Sequence, residues 1–257
     1  MAGHSRSKNG VASLAYVPAI SLRQARCPAE RDGRNKSGHD ARVESGRKQV
    51  IKIWGRNTSA NVQKVMWAIA EIGLPHERID IGGPFGKNRE PAYLAMNPNG
   101  LVPTLEEDDG FLLWESNAIV RYLAAKHRAG VLEPADPQAR ARANAWMDWQ
   151  LSVIGPAITP CFIGLVRTPP EKRDHTVIEG SKKKTTEAVA ILDAELGNSA
   201  FVAGDAFSYG DIPSAVMANR YRQLVPERPA FRNFERWFAA IAARPAFKEQ
   251  VAAVALA

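Results

Sequence analysis

Residues 97–116 read NPNGLVPTLEEDDGFLLWES. Val102-Pro103 opens an apolar run that Thr104 and Leu105 continue. Asp108, Asp109 and Gly110 supply a hairpin turn, and Phe111 to Trp114 make a second strand. Glu115-Ser116 stands where a helix must begin, because Ala118, Ile119, Tyr122 and Leu123 recur at helical spacing. The unit is strand, tight turn, strand and helix, the last running to about His127.

Upstream, Val50 to Trp54 is a short apolar strand, and Gly55 to Ala60 (GRNTSA) is a polar turn. From Asn61 to Gly73 the residues Val62, Val65, Met66, Ile69 and Ile72 share one helical face, and Gly73 and Pro75 stop the helix. His76 to Ile81 reads as a second strand. Gly82, Gly83, Pro84 and Gly86 then break the chain before a short helix at Pro91 to Met96. Gly82-Gly83-x-x-Gly86 lacks the Lys-Ser/Thr and the following helix of a phosphate loop, so it reads as a mobile loop. The order β-α-β-α-β-β-α is that of the thioredoxin fold, placed at residues 50–129.

Downstream, Val131 to Asp136 is a Pro-containing linker, and residues 137–257 are helical in pattern. A long helix is expected from Arg140 to Ile154, bearing Trp146, Met147, Trp149 and Leu151. Thr168-Pro169-Pro170-Glu171 reads as a capping box with Pro at the first helical position. The helix it opens carries Val177, Ile178, Val189, Ile191 and Leu192. Ser208-Tyr209-Gly210-Asp211 reads as a second helix start with a folding role, and Phe207 and Ile212 are candidates for its staple. Phe231 to Ile241 and Phe247 to Val254 complete an all-α bundle.

No apolar run approaches the roughly 20 residues of a membrane span, so a soluble protein is expected. The formal charge of +7 is concentrated in residues 1–49, which hold 10 Lys and Arg against 4 Asp and Glu. The remainder, with 24 basic and 23 acidic residues, is close to neutral, which argues against nucleic-acid binding. Cys27 and Cys161 are too few for a disulfide framework. The five His residues have no metal-ligand spacing, so no metal is expected. The leader, residues 1–49, has three readings: a targeting segment, a disordered tail, or translated sequence upstream of a true start at Val50.

The Gly55–Asn61 turn, Val102-Pro103 and Glu115-Ser116 together resemble the glutathione S-transferase family, in particular its theta-like and related bacterial cytosolic classes. The resemblance runs from Val50 almost to the C-terminus. It implies a thioredoxin-like domain followed by a helical-bundle domain, a homodimer, a cytoplasmic location and a role in detoxification. Glutathione is the implied co-substrate, with a small electrophile as its partner. By the same resemblance Ser59, at the start of the first helix, is the helper of the glutathione thiolate. Asn57, Thr58 and Asn61 crowd the turn as alternative donors, since GRNTSAN departs from the family's usual Ser-x-Pro and Ser-x-Cys patterns. Lowering a thiol pKa of about 8.5 by two units needs about 2.7 kcal/mol. One hydroxyl donor to a thiolate supplies about 1.5–3 kcal/mol, and a helix N-terminus adds about 0.3–1 kcal/mol. A single Ser is therefore sufficient in magnitude. Read without the family, Ser59 is a helix cap.

The resemblance further implies a cis Val102-Pro103 bond, with the Val102 backbone pairing the cysteinyl backbone of glutathione in strand fashion. Glu115 takes the γ-glutamyl ammonium, and Ser116 with its helix amides takes the α-carboxylate. Lys87 is the candidate for the glycyl carboxylate. The second substrate is expected between the two domains, against Trp146, Trp149 and the stretch from Pro160 to Leu165 that contains Cys161. Arg56 is a candidate partner for a carboxylate there. Read without the family, the two Trp are core residues and Cys161 is a small buried hydrophobe. Two rival functions share this fold: glutathione-dependent reduction of disulfides or peroxides, and non-enzymatic ligand binding.

Overall fold

The computed structural model describes residues 50–257; the three readings of the leader, with Cys27, lie outside them. Strand β1 (Ile51–Trp54) pairs in parallel with β2 (His76–Ile79) and antiparallel with β3 (Thr104–Glu106). β3 in turn pairs antiparallel with β4 (Leu112–Trp114), giving the order β2-β1-β3-β4. Ile51 and Ile53 of β1 are buried while Lys52 and Trp54 are half-exposed, the period of two expected of a sheet with one face on the core. Trp54 faces Thr104 across the ladder. The Val102-Pro103 segment therefore enters the sheet beside the end of β1, where the Gly55 turn begins.

Helix α1 (Ala60–Ile72) is the joint of the molecule. Sequence spacing gives it one apolar face, but Gln63, Lys64 and Trp67 are buried along with Val62, Val65, Met66 and Ile69. Helix α3 (Ser116–Arg128) packs on one side of it, and α7 (Asp211–Leu224) and the C-terminal segment pack on another. A helix enclosed in this way buries polar residues along most of its length, with Asn61 at its start left exposed. It ends as expected at Gly73, whose left-handed backbone (φ 77°) lets its N–H reach the Ile69 carbonyl. Short helix α2 (Pro91–Met96) precedes β3.

In the helical half, α4 (Pro137–Trp149) does not stop near Ile154. It continues through a π-helical turn at Gln150–Ile154 into α5 (Gly155–Phe162) and a second π turn at Ile163–Arg167. The wider turn accommodates Gly155-Pro156: the Gly155 N–H bonds the Gln150 carbonyl five residues back, and a β-carbon on Gly155 would stand 2.7 Å from that oxygen. The resulting 31-residue helix, Pro137–Arg167, is long and apolar enough to cross a membrane by length and composition alone. This corrects the expectation that no stretch reaches that length. Ile154, Ile158, Cys161 and Phe162 on it are buried, and α5 packs on α7 and on α6 (His175–Glu195).

The expected helix start at Thr168 is also corrected. The Thr168 hydroxyl donates back to the Ile163 carbonyl at 3.0 Å, so it serves the end of the preceding helix. Pro170–Lys172 is a single 3-10 turn, and α6 begins at His175 with Asp174 accepting from the Val177 N–H. The Ser208–Asp211 start does fall at α7. The buried Asp211 carboxylate accepts from the Ser208 N–H (3.0 Å), the Val202 N–H (3.0 Å) and Trp237 Nε1 (2.9 Å). Trp237 belongs to α8 (Arg232–Ala243), which is followed by α9 (Pro245–Phe247) and a π turn at Lys248–Ala252. The two halves are tied where the Arg244 guanidinium makes two bonds, of 2.7 and 2.6 Å, to Glu71 of α1.

Candidate active site

The site begins at the end of β1. Gly55 is closed in by Val62 and Val102, and a β-carbon there would meet the Val62 side chain at 2.5 Å. The turn after it lifts Ser59 to the N-terminus of α1 in an extended conformation. The Ser59 hydroxyl makes no hydrogen bond to the helix it precedes, and the first turn holds no acidic residue. Ser59 is thus a helix start whose side chain is not spent on capping, at the positive end of the helix dipole. It lines a cavity of about 490 Å³ together with Ala60 and Asn61. Asn57 and Thr58 are not among the residues that line it.

The peptide-holding half is anchored from behind. The Tyr93 hydroxyl donates to the Leu101 carbonyl at 2.6 Å, Asn97 Nδ2 donates to the same oxygen at 2.9 Å, and Asn88 Nδ2 donates to the Gly100 carbonyl at 2.7 Å. These bonds fix the loop leading into Val102-Pro103, whose peptide bond is cis. Glu115 has a left-handed backbone (φ 71°), unusual for a residue with a side chain and costing about 1 kcal/mol or more. Ser116 directly after it is buried. Lys87 also has positive φ and is exposed, in the loop after Gly86. The Gly82–Gly86 stretch holds an exposed 3-10 turn at Gly83–Phe85, and a β-carbon on Gly83 would stand 2.8 Å from Arg56 Nε. The absence of a side chain at Gly82 and Gly83 lets the Arg56 side chain lie against the loop while it lines the cavity.

The opposite wall comes from the long helix and α7. Leu151, Pro156, Pro160, Phe162 and Ile163 give it an apolar surface, and Met217 adds to it. Trp146 and Trp149 do not line it; they pack against the core and against each other, edge to face at 4.8 Å. Cys161 is fully buried, burial pushes its thiol pKa up, and it too lies outside the lining. Pro156, Pro160, Ile163 and Arg167 recur at helical spacing on the face that meets the cavity, and Cys161 lies off that face. These three assignments to the second-substrate pocket are therefore corrected, while Arg56 does line it.

Several residues of the site carry no local sequence signal. Arg167 and Arg220 line the cavity with Arg56. Lys64, fully buried on α1, donates to Gln150 Oε1 of the π turn at 2.6 Å. Burial lowers its pKa to about 7, against the opposing charge of Glu115 and with the help of Arg220. Among the described residues, no group of three His, Cys, Asp or Glu is placed to hold a metal ion.

The glutathione S-transferase N-terminal domain family matches residues 58–126, and the C-terminal domain family matches residues 152–245. Glutathione S-transferase GstB of Escherichia coli K12 is 44% identical over 204 residues, covering 79% of this chain and 98% of that protein. Glutathione S-transferase 3 of Zea mays is 31% identical, covering 80% and 95%. The theta class glutathione S-transferase of Xanthomonas axonopodis pv. citri, solved with glutathione bound, is 41% identical, covers 80% of this chain and 99% of that one, and superposes with a TM-score of 0.77.

Proposed function

Because this chain belongs to the glutathione S-transferase family, we propose that it joins the glutathione sulfur to a small electrophile in the cavity beside Ser59. The observation that carries this reading is Ser59: it sits at a helix N-terminus, its hydroxyl is not used as a cap, and the residue lines a cavity of about 490 Å³. The hydroxyl and the helix end hold the sulfur as thiolate. Asn61, on the same rim, is the second donor within the cavity. The thiolate then attacks the electrophile, whose apolar body rests on the wall from Leu151 to Ile163.

Glutathione lies along the N-terminal half. The Val102 backbone pairs with its cysteinyl residue, the Glu115 carboxylate takes the γ-glutamyl ammonium, and Ser116 with the start of α3 takes the α-carboxylate. Glu115 acts from a backbone conformation that its surroundings must impose, which is the usual setting of a ligand clamp. Lys87 is assigned to the glycyl carboxylate. The domains run 50–129 and 137–257, and the protein works as a cytosolic homodimer in detoxification, as the family resemblance implies.

Calorimetry with glutathione, followed by mass spectrometry of the thioether formed from an aryl halide, tests the proposal. Saturable binding and thioether formation are expected. Absence of glutathione binding would favour a scaffold that keeps only the fold.

A further inference from the structure

Three guanidinium groups, those of Arg56, Arg167 and Arg220, converge on the cavity that Ser59 lines, and its lining contains no Asp or Glu. Among the described residues none of the three is in salt-bridge contact with a carboxylate side chain. Arg167 Nη2 donates to the Ala257 carbonyl at 3.1 Å, and Arg220 Nε is buried with no hydrogen-bond partner. Arg167 and Arg220 both lie over the Phe162 ring, at 4.8 and 4.1 Å from its centroid. Like charges that share one aromatic platform repel one another. The pKa values of Arg56 and Arg220 are lowered accordingly, by burial first and then by the neighbouring guanidiniums, that of Arg220 to about 10. An anion placed among the three guanidinium groups relieves this repulsion and supplies the partner that Arg220 Nε lacks.

We propose that the second substrate is an acidic electrophile, a small molecule whose carboxylate binds Arg220, Arg167 and Arg56 while its electrophilic carbon faces the thiolate at Ser59. This inference rests on the glutathione-conjugating reading of that site. With an acidic aryl chloride the step balances simply. The thiol proton leaves to solvent, the sulfur pair forms the carbon–sulfur bond, and the carbon–chlorine bond breaks with its pair to release chloride. The cations also stabilise the negative charge that builds on the ring during the addition.

The test uses the full chain and three ligands in calorimetry: glutathione, the thioether of glutathione with 4-chloro-3,5-dinitrobenzoate, and the matching thioether whose carboxylate is a carboxamide. The acid thioether is expected to bind about 10- to 10²-fold more tightly than the amide, the range for a charge-assisted hydrogen bond. Arg220→Gln brings that ratio toward one, and Arg167→Gln lowers it by a smaller factor. Arg167 is exposed, so its variant keeps the test available if the Arg220 variant fails to fold. Equal affinity for the acid and amide thioethers in the unmodified protein overturns the proposal. So does a loss of glutathione affinity in the variants with the acid-to-amide ratio unchanged, which assigns the arginines to glutathione's own carboxylates. Failure of all three ligands to bind overturns the glutathione reading itself.

Discussion

The two walls of the cavity are made in different ways. The glutathione side is built largely from contiguous chain: residues 97–116 hold Val102-Pro103, Glu115 and Ser116, and their supports Asn97 and Thr104 lie in the same stretch. The electrophile side is assembled from Arg56, the π turn at Gln150, the segment from Gly155 to Arg167, and Met217 and Arg220 of α7. The first wall is backbone and hydrogen bonds; the second is side chains on packed helices. Recognition of a fixed peptide suits the first construction, and variation of the partner suits the second, because one substitution alters the wall without disturbing the sheet.

That contrast orders the expected effects of substitution. Ser59, where the walls meet, gives the largest: Ser59→Ala lowers kcat by about 10²–10³, as loss of a preorganised donor does. An unchanged rate moves the role to Asn61, or to Thr58 or Asn57. On the glutathione side, Glu115→Gln raises KM for glutathione by about 10- to 10²-fold with kcat held, the pattern of an interaction made equally in ground and transition states; steady-state kinetics with varied glutathione reads this directly. A fall in kcat alone would remove Glu115 from the binding wall.

Lys64 joins the walls, and its effect appears in stability. Its pKa in the folded protein, about 7, lies below the ordinary 10.5, so between those values the unfolded chain binds more protons than the folded one. Stability therefore rises with pH across that window, opposed by Glu115 and reinforced by Arg220. Denaturant unfolding at pH 7 and pH 10 shows the rise, and Lys64→Met flattens it; a curve of the same slope in the variant assigns the effect elsewhere. The smallest effect is expected at Trp149, which packs edge to face on Trp146 outside the cavity. Trp149→Phe changes kcat/KM for an electrophile by less than about twofold, and a tenfold loss would return it to the wall.

The same contrast explains what was legible in the sequence. Local chemistry marks local structure: the Asp-Asp-Gly turn, the Gly73 stop and the helix start at Glu115-Ser116 all fall where expected, as does the order of strands and helices along residues 50–129. The cavity wall was misread because helical spacing does not tell which face meets a neighbouring helix. Trp146, Trp149 and Cys161 fit a cleft by composition but turn away from it, and Arg167 and Arg220 have no partner nearby in sequence. Two local signals were also overridden. Thr168 and Glu171 match a capping box, but the Thr168 hydroxyl is taken by Ile163. Gly155-Pro156 would ordinarily end a helix, and a π turn carries the helix past it.

Whether Ser59 holds glutathione as thiolate is read from the ionisation of bound glutathione. Ultraviolet absorbance of the thiolate, followed against pH in the binary complex, should give an apparent pKa about two units below the ordinary thiol value of about 8.5, and Ser59→Ala should return it most of the way. The same lowered value in both proteins, or an ordinary value in the unmodified one, would remove that role from Ser59.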